Sequence, residues 1–89
     1  MKNHYFVYLL RCSDNTYYCG ITTDLERRLE EHNTSKLGAK YTKARRPVTL
    51  EYANQFATRS EAQKEEARIK QMTRKGKIEL IKIAGKFKP

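Results

Sequence analysis

The sequence predicts an α+β domain, a three-stranded antiparallel sheet made of an N-terminal β-hairpin plus one later strand and flanked by helices. Three observations carry the prediction. The run Tyr5-Phe6-Val7-Tyr8-Leu9-Leu10 is apolar at both odd and even positions, which suits a strand covered on both faces. A second β-rich run, Thr16 to Ile21, follows the turn residues Ser13-Asp14-Asn15, so residues 4 to 21 read as a hairpin. Two Thr-x-x-Glu boxes, at Thr23 to Glu26 and Thr58 to Glu61, each open a stretch with helical spacing.

The length of the hairpin loop decides which side chains share a face. A two-residue Asp14-Asn15 loop would put Tyr8 and Tyr18 on opposite faces. A three-residue loop with Asn15 left-handed pairs Leu10 with Tyr18 and Tyr8 with Gly20, making the two tyrosines diagonal neighbours. The second register is the expectation. It gathers Val7, Leu9, Tyr17, Cys19 and Ile21 into a core layer on the other face, points Cys12 away from Cys19, and leaves the backbone of Gly20 open to a ligand beside Tyr8.

Thr23 is expected to cap the first helix by accepting from the Glu26 amide. At about 100° per residue, Leu25 and Leu29 form its buried stripe and Glu26, Arg27, Glu30 and Glu31 face away. Arg28 and His32 border the leucines, so Arg28 should meet the sheet while Arg27 is solvated. Residues 33 to 47, with Gly38 and Pro47, read as a loop with a short helical turn around Ala39 to Ala44. Val48 to Tyr52 is the third strand, lying beside the first.

The helix opened by Thr58 runs to about Met72 with Ala62, Ile69 and Met72 on its apolar stripe. Glu66 falls within that stripe, about 40° from Ala62. A buried carboxylate needs a partner, either a salt bridge to Arg28 or a neighbouring lysine, or a metal ion. Arg74-Lys75-Gly76-Lys77 then punctuates a last helix that reaches about Gly85. The division is one domain, residues 1–85, followed by a basic tail, residues 86–89.

The 89 residues carry a formal charge of +9, unevenly placed: residues 36–49 hold five basic side chains and no acid. Such a field attracts polyanions. Lys40, Tyr41, Lys43, Arg45 and Arg46 combine cations with an aromatic ring and are the candidate nucleic-acid contacts. The two cysteines form neither a metal-ligand cluster nor a disulfide framework. No apolar run approaches the ~20 residues of a membrane span and no signal-peptide pattern opens the chain, so a cytoplasmic protein without a membrane partner is expected.

Taken together, these residues resemble the GIY-YIG nuclease superfamily, and within it the small stand-alone bacterial proteins of the UPF0213 type. Phe6-Val7-Tyr8 stands where the first Gly-Ile-Tyr stands, Tyr18-Cys19-Gly20 where Tyr-Ile-Gly stands, and Asp24-Leu25-x-x-Arg28-x-x-x-His32 matches the following helix. Glu66, in the setting Glu66-Ala67-Arg68-Ile69-Lys70, matches the glutamate later in the chain. The first motif lacks its glycine, and Cys19 replaces an isoleucine.

The resemblance implies a GIY-YIG-like fold and metal-dependent hydrolysis of phosphodiester bonds, in DNA more than RNA, with structured or single-stranded DNA of repair or recombination as substrate. It makes Tyr18 the general base, Tyr8 its assistant in orienting water or phosphate, Arg28 the phosphate clamp and His32 a phosphate contact or proton relay. Glu66 becomes the single ligand of Mg²⁺, or of Mn²⁺ in its place. The alternative is a nucleic-acid-binding module that cleaves little without a protein partner to supply targeting.

Overall fold

The computed structural model describes residues 4–84. The elements are β1 (Tyr5–Arg11), β2 (Tyr17–Thr22), α1 (Leu25–Thr34), α2 (Lys40–Lys43), β3 (Thr49–Phe56), α3 (Arg59–Lys70) and α4 (Arg74–Ala84). The sheet order is β2-β1-β3, with both pairings antiparallel. The predicted α+β class and three-stranded sheet are therefore what the chain adopts. The predicted tail, residues 86–89, and the helix end near Gly85 lie outside the described residues.

β1 is the central strand, and its two faces support two separate cores. Val7 and Leu9 pack with Cys19, Tyr52, Ala62 and Ile69, beneath α3 and α4. Tyr8 and Leu10 pack with Cys12 and Val48, against Leu25 and Leu29 of α1. Val7, Leu9, Leu10 and Ile69 are at most 1% exposed, and burying an aliphatic side chain of that size contributes roughly 1.5–3 kcal/mol. Alternation along a single strand thus ties the two helical layers together.

The hairpin has the three-residue loop. Cys12 N–H donates to Thr16 O at 2.8 Å, Asn15 adopts φ 67°, and Tyr8 pairs with Gly20 and Leu10 with Tyr18. Asn15 tolerates the left-handed region that closes such a loop. Asp14 fixes the turn by accepting from the Thr16 hydroxyl at 2.6 Å and from its amide at 3.1 Å.

Four details depart from the expectation. The N-cap of α1 is Asp24 and not Thr23: β2 runs on through Thr22, whose hydroxyl accepts from the Asp24 amide, and the Asp24 carboxylate accepts from Arg27 N–H at 3.1 Å. A carboxylate at that position also complements the helix dipole. β3 is longer than Val48–Tyr52, because a bulge between Leu9 and Leu10 lets Glu51 slip out of register and the pairing continue to Phe56. α3 ends at Lys70 rather than near Met72. Gly76 lies inside α4, not before it, because Thr73 Oγ1 accepts from its amide at 3.0 Å and opens the helix at Arg74. The capping box at Thr58 and Glu61 forms as predicted.

Candidate active site

The hairpin register puts Tyr8 and Tyr18 on one face of the sheet, with ring centroids 6.5 Å apart. α1 starts two residues after β2 ends, so the turn at its N-terminus brings Arg28 and His32 over that face. α3 packs on the opposite face and against β2, the outer strand on that side, and Arg59, Gln63 and Glu66 of α3 reach the same space. A cleft of about 350 Å³ opens around this edge, and its lining includes Tyr8, Tyr18, Gly20, Arg28 and Glu66. Five positions on four different elements or junctions thus meet in one space.

Tyr8 is 2% exposed and His32 fully buried. The Tyr8 hydroxyl lies 2.9 Å from His32 Nε2, and His32 Nδ1 lies 2.8 Å from Thr42 Oγ1. Because the Thr42 hydroxyl donates to Ala39 O at 2.9 Å, its oxygen accepts from Nδ1–H, and Nε2 accepts from Tyr8. The network itself assigns the tautomer. Both imidazole nitrogens are committed to protein groups, which seats His32 behind Tyr8 and outside the cleft lining.

Electrostatics reinforce that arrangement. Desolvation, followed by the charge of Arg28, pulls the His32 pKa down to about 4, so the ring is neutral at physiological pH. Burial pushes the Tyr8 phenol up to about 12, with Arg28 opposing. Gly20 serves Tyr8 in a way the sequence did not indicate. The position a side chain would take is filled by the Tyr8 ring, while the Gly20 backbone still lines the cleft: a Cβ there would meet Tyr8 Oη at 2.5 Å and Cζ at 2.7 Å.

Arg28 is half-buried and fixed from behind. Its Nη1 donates to Glu31 Oε1 at 2.9 Å and to Leu37 O at 2.7 Å. Burial works against its charge, but hydrogen bonds to Glu31 and Tyr8 outweigh it and hold the guanidinium pKa above its ordinary value. Glu31, expected on the solvent side, is instead drawn in by this bond. Arg27 is solvated as predicted, with 60% of its side chain exposed.

Glu66 is half-buried at the cleft wall and pairs with Lys70, Nζ to Oε2 3.1 Å. The pairing follows from i,i+4 helical spacing; Arg28 is not its partner. Among the described residues no group of three or more His, Cys, Asp or Glu side chains converges on a metal position. One carboxylate in a cleft whose lining also includes tyrosine and threonine hydroxyls and the Gln63 amide fits a hard divalent cation that keeps most of its water.

The remaining candidates lie apart from the cleft lining. Tyr41 of α2 stacks on Tyr18, centroids 6.1 Å apart and planes 25° from parallel. The Arg45 guanidinium sits 3.9 Å from the Tyr41 ring centroid and pairs with Asp14 at 3.0 Å. Lys40 and Lys43 are exposed on α2. Arg46 closes the C-terminal end of α1, donating to the carbonyls of His32, Glu31 and Ser35. Sequence reasoning missed Arg59 and Gln63, which line the cleft with Glu66. Their 59, 63, 66 spacing on one helix was the available signal.

Comparison with known proteins agrees with this geometry. Residues 4–79 match the GIY-YIG catalytic domain. A UPF0213 protein of Bacillus velezensis is 53% identical over 79 residues, covering 89% of this chain and 79% of that protein. One of Halobacterium salinarum is 52% identical over 75 residues, covering 84% and 96%. The solution structure of a protein from E. faecalis superposes with a TM-score of 0.64 at 47% identity, covering 93% of this chain and 90% of that one. The UPF0213 protein structure from Bacillus halodurans gives 0.61 at 38%, covering 92% and 86%. With Tyr8, Tyr18, Gly20, Arg28 and Glu66 on one cleft, the predicted sheet in place and the match spanning most of its length, the chain belongs to the GIY-YIG family.

Proposed function

We propose that the cleft hydrolyses phosphodiester bonds in nucleic acid, DNA before RNA, in the cytoplasm. The observation that carries this reading is the convergence of Tyr8, Tyr18, Arg28 and Glu66 on one cleft. Attack of water on a phosphate needs a proton acceptor, a cation facing the phosphate oxygens, and stabilisation of the leaving oxygen. Arg28, tethered through one nitrogen to Glu31 and Leu37, presents the rest of its guanidinium to phosphate, and Arg59 adds a second positive charge.

Two tyrosines compete for the proton. Tyr8 already donates to His32, and burial holds the phenol pKa up and the imidazole pKa down. Passing that proton to His32 would charge two groups whose burial disfavours charge. Tyr8 therefore acts by orientation, its oxygen held by His32 and Arg28. Tyr18, whose hydroxyl makes no hydrogen bond to a described residue, is the proton acceptor. Glu66 would hold Mg²⁺ or Mn²⁺, with Lys70 displaced from it; a divalent cation supplies there a Lewis acid that meets negative charge on the phosphate.

The test is to incubate wild type, Arg28→Ala and Glu66→Ala with single-stranded, duplex and branched DNA, with Mg²⁺ or with chelator. Metal-dependent cleavage by the wild type that falls about 100-fold or more in both variants is expected. Equal cleavage by all three proteins sinks the assignment. Binding without cleavage favours a nucleic-acid-binding module that depends on a protein partner.

A further inference from the structure

We propose that a tyrosine-walled, basic trough beside the cleft seats a single-stranded segment of nucleic acid, with an unpaired base stacked on Tyr17. The trough consists of two adjoining cavities of about 230 and 250 Å³, both lined by Tyr17, Tyr41 and Lys77. Thr16 and Arg74 complete the first; Tyr18, Cys19 and Lys70 complete the second. No acidic side chain among the described residues lines either cavity. Cations for the backbone and aromatic rings for the bases are what an unpaired strand requires, since every base offers a π face.

The rings are held in place before any ligand arrives. The Arg74 guanidinium lies 5.3 Å from the Tyr17 centroid and is itself bonded to the Asn15 carbonyl. Tyr41, engaged by Arg45 and stacked on Tyr18, forms a fixed wall of the trough and is not itself a stacking surface. A ring already ordered, as Tyr17 is, loses little entropy when a base stacks on it. A duplex offers no unpaired base to such a ring, so the chemistry selects a single strand.

The trough is continuous with the cleft in two ways. Tyr18 lines both spaces. Lys70 lines the trough while its ammonium pairs with Glu66, which lines the cleft. A strand lying in the trough is thereby directed past Tyr18, and a phosphate near Lys70 competes with Glu66 for that ammonium. The proposal rests on the nucleic-acid reading of the cleft but does not require cleavage.

The experiment measures fluorescence anisotropy of the full chain with a labelled oligothymidylate, the same backbone with abasic sites, and a blunt duplex, all in chelator. Wild type is expected to bind the oligothymidylate about tenfold more tightly than either competitor. Tyr17→Leu should remove about tenfold of that affinity while Tyr17→Phe keeps it, as loss of one stacked base predicts. Lys77→Ala should weaken all three probes and make the salt dependence shallower. Circular dichroism of Tyr17→Leu checks the fold, and Tyr17→Phe remains informative should that variant unfold. Equal affinity for abasic and base-bearing strands overturns the proposal, as does binding by Tyr17→Leu, folded, equal to wild type. Base-dependent binding without cleavage in Mg²⁺ would defeat the hydrolase reading alone; cleavage without base-dependent binding would defeat the trough alone.

Discussion

The Tyr8 hydroxyl donates to Nε2 of His32 across 2.9 Å, in a pair where both residues are at most 2% exposed. A neutral imidazole is required for this, because Nε2 must carry a free lone pair while Nδ1–H serves Thr42. The site therefore depends on keeping a buried histidine uncharged, and the dependence has a pH signature.

Folding lowers the His32 pKa from 6.5 to about 4. Between those values the unfolded chain binds more protons than the folded one, so the contribution is intact above pH 6.5 and is lost as pH falls toward 4. The loss is on the order of 2–3 kcal/mol. Urea denaturation at pH 7.5 and 4.5, combined with an NMR titration of the His32 ring protons, measures it; a ring midpoint near 6.5 would contradict the buried pair.

Gly20→Ala places a methyl 2.5 Å from Tyr8 Oη. Overpacking of this kind costs typically 1–3 kcal/mol, and it should also pull Tyr8 away from His32. In a Tyr8→Leu background most of that penalty should vanish, since the colliding atoms are gone. A double-mutant cycle by chemical denaturation reads the coupling, and additive losses would place the strain elsewhere.

Arg46→Met should destabilise the protein by about 2 kcal/mol, in the range for a charged group that satisfies helix-end carbonyls. The guanidinium is turned inward to His32, Glu31 and Ser35. Thermal or urea unfolding checks this. A variant of wild-type stability with weakened DNA binding would instead give Arg46 to the phosphate backbone.

Lys70→Met removes the ammonium from Glu66. Partly exposed ion pairs are worth roughly 0.2–1 kcal/mol, so Mn²⁺ should bind the free protein up to about fivefold more tightly. Paramagnetic broadening of the Glu66 resonances, without DNA, reports it directly, and unchanged or weaker affinity would argue that the cation does not meet this carboxylate.

Much of the fold was legible because its signals are local. A strand apolar on both faces had to be central, and the length of the Ser13-Asp14-Asn15 loop set the register that aligns Tyr8 with Tyr18. The α1 cap was misplaced by one residue because Thr23 and Asp24 are both good caps, and only the exit of β2 through Thr22 decides between them. The bulge at Glu51 left no trace in the pattern, since a single extra residue in a strand alters pairing without altering composition.

For the cleft, the sequence by itself determined the residue types and their spacing: two tyrosines diagonal to each other on paired strands, Arg28 and His32 one helical turn apart, Glu66 on a later helix. Only the tertiary structure decided what each one faces. Arg28 pairs with Glu31 and not Glu66, Glu66 pairs with Lys70, Arg46 turns inward, His32 is sealed behind Tyr8, and the Tyr8 ring covers Gly20. The reason is physical. Periodicity fixes which face of an element a side chain leaves from, but partners are chosen by distance and burial between elements far apart in the chain, and these exist only once the sheet and helices have packed.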